Sequence, residues 1–247
     1  GGAQIICSDK TGTLTQNKMT VTRYAGADEK LLARAMALCS DAELEKNGAV
    51  GEPTECALVN YAASIGLDKN ELKAECPRIG EAPFDSMRKL MSTVHDCDGR
   101  IVQYTKGAPD VLIERCTHYF DGEKDVPLTE AKKAEILAEN KSMADEALRA
   151  LMAARRFYDA APERFEPADM ERDLTYIGLV GMIDPVRPEA VAAVAECRSA
   201  GIRPIMITGD HRDTAVAIAK QLGIIDDASG AITGAELECM SDDEIEE

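Results

Sequence analysis

Tryptophan is absent from this chain and only 4% of its residues are aromatic, so its cores have to be built from aliphatic side chains. Histidine is scarce too. His95, His118 and His211 do not cluster, and the eight cysteines (Cys7, Cys39, Cys56, Cys76, Cys97, Cys116, Cys197 and Cys239) contain no Cys-x-x-Cys pair, which argues against a zinc site. The scattered thiols are expected to be reduced and mostly buried, as in a cytosolic setting. Positive charge is outnumbered: 28 Lys and Arg against 45 Asp and Glu leave a net charge of -17. Such a surface repels a polyanion, so general nucleic-acid binding is not expected, while a local basic pocket stays open. With no secretory leader and no apolar run of membrane-spanning length, the chain is expected to be soluble by itself.

What the chain does have is the run Asp9-Lys10-Thr11-Gly12-Thr13-Leu14-Thr15, directly after residues 4–8, which read as a short buried strand. A carboxylate at the C-terminal end of a parallel strand points into the crevice where α/β sheets bind ligands. Hydroxyls and backbone amides follow at once, as a phosphate site requires. An aspartate so placed can attack phosphorus and form an acyl phosphate. A strand end with an Asx-turn explains Asp-x-Thr-Gly alone, but accounts poorly for all seven residues together.

The 247 residues allow one large domain or two ordinary ones, and at 45% hydrophobic they can build real cores. Residues 177–225 read as strand–helix alternation. A strand over 177–183 ends at Asp184. Pro188 lies in a helix first turn, Val191 and Val194 form its apolar stripe, and Gly201 ends it. A strand over 203–208 ends at Gly209-Asp210, and a helix carrying Ala215, Ile218, Ala219 and Leu222 closes at Gly223. This alternation predicts a parallel sheet with right-handed crossovers. The intervening residues differ. Thr54 reads as the cap of a short helix with Leu58, Ala62 and Ile65 on one face, and Asp98-Gly99 as a hairpin turn between strands 90–95 and 100–105. Residues 131–149 read as one long helix with Ile136, Met143, Ala147 and Leu151 in register. Strands mixed with helices predict an α+β insert with its own core.

Asp9 to Thr15 runs on as Gln16-Asn17-Lys18-Met19-Thr20 and resembles the phosphorylation motif of P-type cation-transporting ATPases. Lys106-Gly107-Ala108-Pro109-Asp110 resembles their nucleotide-pocket motif, and Asp184-Pro185-Val186-Arg187 and Thr208-Gly209-Asp210 resemble two further motifs of their phosphorylation domain. The four stand in the family's order across nearly the whole chain. The resemblance implies an α/β fold: an incomplete haloacid-dehalogenase-like (Rossmann-like) parallel sheet, with an inserted α+β nucleotide-binding domain whose antiparallel sheet is flanked by helices. Residues 1–20 would be the first part of the phosphorylation domain, 21–176 the nucleotide-binding domain, and 177–247 the truncated second part.

The same resemblance implies ATP and Mg²⁺. Asp9 would attack the γ-phosphorus in line, Lys10 and Thr13 would bracket the transferring phosphoryl, and Asp9 with the Thr11 backbone would hold the metal. Thr208, Gly209 and Asp210 would hold the phosphate across the crevice, and Asp184 and Arg187 would lie where the family links its two domains. Phe84 matches the adenine-stacking aromatic, Lys89 its nearby basic residue and Lys106 the pocket floor. Glu55 and Arg149 match two further nucleotide contacts, and Gly107 would let the backbone approach the ligand. Taken without the family, Phe84 reads as a core residue, Asp184 as a helix cap and Arg187 as a surface charge.

Thr11 separates the pump reading from its leading rival. Soluble phosphatases of the haloacid dehalogenase class usually carry Asp two residues after the nucleophile, a general acid and base that hastens hydrolysis. Thr11 cannot do that work, so the acyl phosphate should persist, as a pump requires. Such a phosphatase, and a nucleotide-binding module without catalysis, stay as alternatives. Gln16 to Thr20 and Phe84 with Lys89 look like the calcium, sodium–potassium and proton/calcium-type branch, and no histidine precedes proline as in the heavy-metal branch. The short insert and Lys106 to Asp110 followed by Cys116-Thr117-His118 look most like bacterial calcium pumps. The family's later Gly-Asp-Gly-x-Asn-Asp loop does not occur. The chain is therefore expected to be a soluble fragment from the cytoplasmic face of an integral membrane protein, binding ATP or ADP but phosphorylating poorly. Its partners would be the nucleotide and the remainder of its own pump, the actuator domain and membrane helices. The open edge of a half-built sheet would also favour a dimer across residues 1–20 and 180–247.

Overall fold

The computed structural model describes residues 3–209 and 212–240. Along the chain run β1 (Ile5–Asp9), β2 (Thr20–Ala25), α1 (Glu29–Leu38), β3 (Glu43–Glu45), β4 (Gly48–Val50), α2 (Pro53–Ser64) and α3 (Lys69–Glu75). Then come β5 (Arg78–Asp85), β6 (Leu90–Cys97), β7 (Arg100–Gly107), α4 (Pro109–Leu112), β8 (Cys116–Phe120), β9 (Asp125–Pro127) and α5 (Glu130–Asp145). The rest are β10 (Arg149–Tyr158), α6 (Pro167–Met170), β11 (Leu174–Ile183), α7 (Pro188–Ser199), β12 (Arg203–Ile207), α8 (Arg212–Gln221) and α9 (Gly234–Glu238). They form two compact units, one of Gly1–Lys18, Asp145–Ala147 and Asp184–Glu247, the other of Met19–Ala144 and Leu148–Ile183.

The larger unit is built on a sheet in the order β5-β6-β7-β10-β11-β8-β9, with β2 paired to the far half of β11. Its pairings are antiparallel except β11 with β8. Side chains alternate across it as the pleat demands. Leu90, Met152 and Leu179 join one core with Ile136 and Met143 of α5, while their neighbours Met91, Ala153 and Val180 join another with Leu32 and Met36 of α1 and Leu58 of α2. Helices therefore cover both faces. Asp28 caps α1 by accepting from the Leu31 amide at 3.0 Å, and Asp68 caps α3. At the expected hairpin Asp98 (φ 57°) and Gly99 (φ 81°) both take the left-handed region, which is a two-residue turn matched to strand twist.

Four expectations for this unit are corrected. The long helix stops at Asp145; Ala147 turns left-handed (φ 57°) and Arg149 opens β10, because β10 finds partners in both β7 and β11. Thr54 is not the cap of α2: Glu52 is, taking the Glu55 amide at 3.0 Å with Pro53 in the first turn. The strand over 177–183 belongs to this sheet as β11, pairing antiparallel with β10 and β2, so the unit ends at Ile183. Finally, the thiols are not all reduced. The β5–β6 register, Arg78 opposite His95, carries Cys76 opposite Cys97, and the two form a disulfide.

Two buried residues show how closely this unit is made. Gly107 sits between Leu90 and Met152 in the register, and a Cβ there would stand 2.3 Å from the Lys89 carbonyl oxygen. Its smallness serves the approach of neighbouring strands. His95 is buried with one ring nitrogen 3.0 Å from the Cys76 carbonyl and the other 2.9 Å from Thr93 Oγ1. The carbonyl can only accept, so Nδ1 carries the proton and Nε2 accepts from Thr93.

In the smaller unit β1 and β12 pair in parallel, from Ile5 opposite Arg203 to Asp9 opposite Ile207. Pro188 begins α7, Gly201 (φ 74°) follows its end, and Gly223 (φ 72°) follows α8. The strand expected to be buried is open, with Ile5 54% and Ile207 57% exposed. Val191, expected in the apolar stripe of α7, is likewise exposed, while Val194 is buried.

Burial holds the folded His95 at a pKa of about 4, against about 6.5 for a free imidazole. Between these values the unfolded chain binds a proton that the folded chain refuses. The stability this contributes is whole above pH 6.5, drains as pH falls toward 4, and is flat below. Urea titrations from pH 7 to pH 4 should show the wild type losing about 3 kcal/mol more than His95→Gln. Gly107→Ala should lower the unfolding free energy by about 2–3 kcal/mol or more, because the obstacle is backbone and not a movable side chain; an unchanged urea midpoint would refute the close approach.

Candidate functional site

In the smaller unit Asp9 and Ile207 end adjacent parallel strands, so Asp9 and the Thr208-Gly209 pair stand at the same end. Asp9, Thr11, Thr13 and Gly209 are exposed and Thr208 is half-buried. Asp210, expected beside them, lies outside the described residues. After Asp9 the chain makes one wide turn over Lys10–Leu14, closed by the Thr15 amide donating to the Lys10 carbonyl at 3.0 Å. Gly12 takes φ 76°, a conformation that other residues adopt only with strain. The Lys10 side chain, expected beside the phosphoryl, is buried.

Asp184 and Arg187 hold this turn from beneath. Thr15 is fully buried, and its hydroxyl donates to Asp184 Oδ2 at 2.5 Å, while Oδ1 accepts the Lys18 amide at 3.0 Å. Arg187 Nε donates to the Thr15 carbonyl at 2.9 Å and Nη2 to the Gly12 carbonyl at 3.1 Å. Each does more than a helix cap or a surface charge would: they fix the backbone that follows Asp9. Thr15 is the residue that sequence reading left without a role. The oxygen donors open at the turn, the Asp9 carboxylate and the Thr11 carbonyl, are of the hard type that suits Mg²⁺, which binds through one or two carboxylates plus substrate phosphates.

The other site residues meet at one end of the larger sheet. Antiparallel neighbours reverse direction, so the end of β5, the start of β6, the end of β7 and the start of β10 lie together. Those ends carry Phe84, Lys89, Lys106 with Gly107, and Arg149. Phe84 is 61% exposed, which excludes the core-residue reading, and nearby Met87 is 89% exposed. Lys89 is exposed, 4.0 Å from the Asp110 carboxylate, and Arg149 Nη1 reaches Thr54 Oγ1 at 3.3 Å. An aromatic face thus stands among three cations on a chain of net charge -17.

Lys106 is the buried member. Its ammonium forms an ion pair with Glu55 and donates to Ser40 Oγ at 3.1 Å. Ser40 Oγ in turn donates a hydrogen bond to the Met36 carbonyl at 2.7 Å. The second Glu55 oxygen accepts the Asp41 amide at 2.7 Å and the Ala42 amide at 3.1 Å. The segment 40–42 is therefore part of the site, although nothing in its sequence beyond two polar residues after an apolar helix marks it.

The chain matches the family described as P-type ATPase, cytoplasmic domain N, over residues 29–189. It is 45% identical to calcium-transporting ATPase 1 of Bacillus cereus over 99% of its own length and 29% of that protein's. It is 42% identical to calcium-transporting ATPase 1 of Lactococcus lactis, over 100% of this chain and 30% of the relative. A yeast protein, calcium-transporting ATPase 1 of Saccharomyces cerevisiae, is 35% identical over 99% of this chain and 30% of its own. The chain thus spans less than a third of these relatives. On the match over residues 29–189, it belongs to the P-type ATPases and carries their cytoplasmic domain N.

Proposed function

We propose that this chain is the ATP-binding and phosphoryl-accepting part of an ATP-driven calcium pump that works at the cytoplasmic face of a membrane. The observation that carries the reading is the gathering of Phe84, Lys89, Lys106 and Arg149 at one sheet end. Phe84 offers a face on which a purine stacks, Lys89 and Arg149 offset the charge of its phosphates, and Lys106 paired to Glu55 forms the floor. The relatives, calcium-transporting ATPases, point to calcium as the cation. The parallel β1–β12 pair, with α7 preceding β12, supports a haloacid-dehalogenase-like phosphorylation domain interrupted by the nucleotide-binding domain. Among the described residues no helix is long and apolar enough to cross a membrane, so the membrane passage and the actuator are assigned to the remainder of the pump.

In the reaction an Asp9 carboxylate oxygen forms a bond to the γ-phosphorus as the bond from that phosphorus to the β–γ bridging oxygen breaks, and ADP leaves with the electron pair. Asp9 and the Thr11 carbonyl would hold Mg²⁺, which when bound draws charge from the phosphate oxygens. Thr13, Thr208 and Gly209 offer donors to the transferred group, Asp210 completes that motif, and buried Lys10 adds positive potential beneath the turn. Asp184 and Arg187 keep the turn in shape. Because Thr11 cannot act as a base near neutral pH, the aspartyl phosphate outlives its formation.

Calorimetric titration of the chain with ADP should show binding. Phe84→Ala should weaken it about tenfold, in line with stacking worth roughly 1–3 kcal/mol per base, and Lys106→Met should weaken it at least as much. Unchanged affinity in both variants would sink the nucleotide site. In a pump of the relatives' full length, Asp9→Asn should abolish acid-stable labelling from γ-labelled ATP, and Thr11→Asp should shorten the life of the phosphoprotein by about 10²-fold. A phosphoprotein equally long-lived with either residue would remove the case against a phosphatase.

A further inference from the structure

Among the buried charges that the nucleotide reading leaves unused is a lysine. Lys69, in the first turn of α3, is 2% exposed, and an ammonium so deep in the fold needs partners. It donates to the Ser40 carbonyl at 2.7 Å and to the Ala42 carbonyl. Arg78 Nη2 reinforces the same segment through the Leu38 carbonyl at 3.1 Å and the Ser40 carbonyl at 2.8 Å. The segment's other groups face the nucleotide side: the Asp41 and Ala42 amides hold Glu55, and Ser40 Oγ accepts from Lys106. The Ser40 carbonyl and the Asp41 amide belong to one planar peptide unit. A cation grips its oxygen and a carboxylate grips its N–H, so the two hydrogen bonds polarise each other.

Granted the nucleotide site described above, we propose that Lys69 is its positioning residue, acting through the Ser40–Asp41 peptide to fix the Glu55 carboxylate and so the Lys106 ammonium at the floor of the pocket. A cavity of about 400 Å³, lined by Ser40, Asp41, Lys69, Arg78 and His95 among others, lies behind the segment. Without the grip of Lys69, the segment can retreat into it.

The positioning is pH-dependent. Burial brings the Lys69 amine down to about 8. Glu43 of β3 and Glu55 of α2 favour its charge, Arg78 of β5 and Lys73 of α3 oppose it, and Asp41 faces the site paired to Arg78. His95 of β6, held at about 4, stays neutral in this range. As pH rises through about 8 the ammonium loses its charge, the grip on both carbonyls weakens, and nucleotide affinity falls.

ADP titrations on the 247-residue chain test this. The wild type should lose affinity severalfold between pH 7 and pH 9, and Lys69→Met should raise Kd about fivefold at pH 7 and flatten that dependence. In a Glu55→Gln background, Lys69→Met should add little, because the group it positions is gone; fully additive losses would overturn the proposal. Lys106→Met separates the two readings. If it leaves ADP binding unchanged, the nucleotide site itself is wrong and this proposal falls with it. If it weakens binding while Lys69→Met does not, the positioning role alone falls. Should Lys69→Met not fold, a wild-type affinity constant from pH 7 to pH 9 is itself enough to reject the idea.

Discussion

The buried pair of Lys106 and Glu55 is the interaction on which the sheet end carrying Phe84, Lys89 and Arg149 depends. Two opposite charges withdrawn from water are stable only if their remaining hydrogen-bonding capacity is used, and losing one partner typically costs about 3–5 kcal/mol because the other is left alone. Here Glu55 fills its second oxygen with two backbone amides and Lys106 takes a hydroxyl. The pair thereby ties α2, β7 and the segment after α1 into one object. The exposed groups, Phe84, Lys89 and Arg149, stand on strand ends whose mutual places are set by sheet pairing. A rigid charged floor beneath a more open rim of aromatic and basic side chains is an arrangement suited to binding without large rearrangement.

The smaller unit uses the same device on the turn that follows Asp9. A carboxylate, Asp184, takes a backbone amide and a buried hydroxyl, and Arg187 takes two carbonyls. In both units side-chain charge is spent on holding irregular backbone that no helix or strand would hold. That explains why polar residues remote from any ligand are needed to shape a site.

Much of this was legible in the sequence, and for physical reasons. Asp98-Gly99 between apolar runs allows little but a tight hairpin, and Pro188 with Gly201 brackets α7 by backbone geometry alone. Phe84, Lys89, Lys106 and Arg149 could be named from the resemblance, but their meeting at one sheet end follows from pairing that no local pattern encodes. The end of α5 was misplaced because Ala147 and Leu151 continue its apolar spacing, and only tertiary partners turn Arg149–Tyr158 into a strand. Thr54 looked like a cap because its residue type is right; Glu52 does the work from two positions earlier. Lys69 was invisible, since a lysine after Asp68 reads as a solvated helix start.

β5, which carries Phe84, is the outermost strand of its sheet and has a neighbour on one side only. Such a strand is the first to peel away in thermal fluctuations. The bond between Cys76 and Cys97 clamps its far end to the last residue of β6 and closes a short loop around the two strands. Fraying from that side is thus blocked covalently, and part of the entropy of ordering this edge strand is settled once the bond has formed.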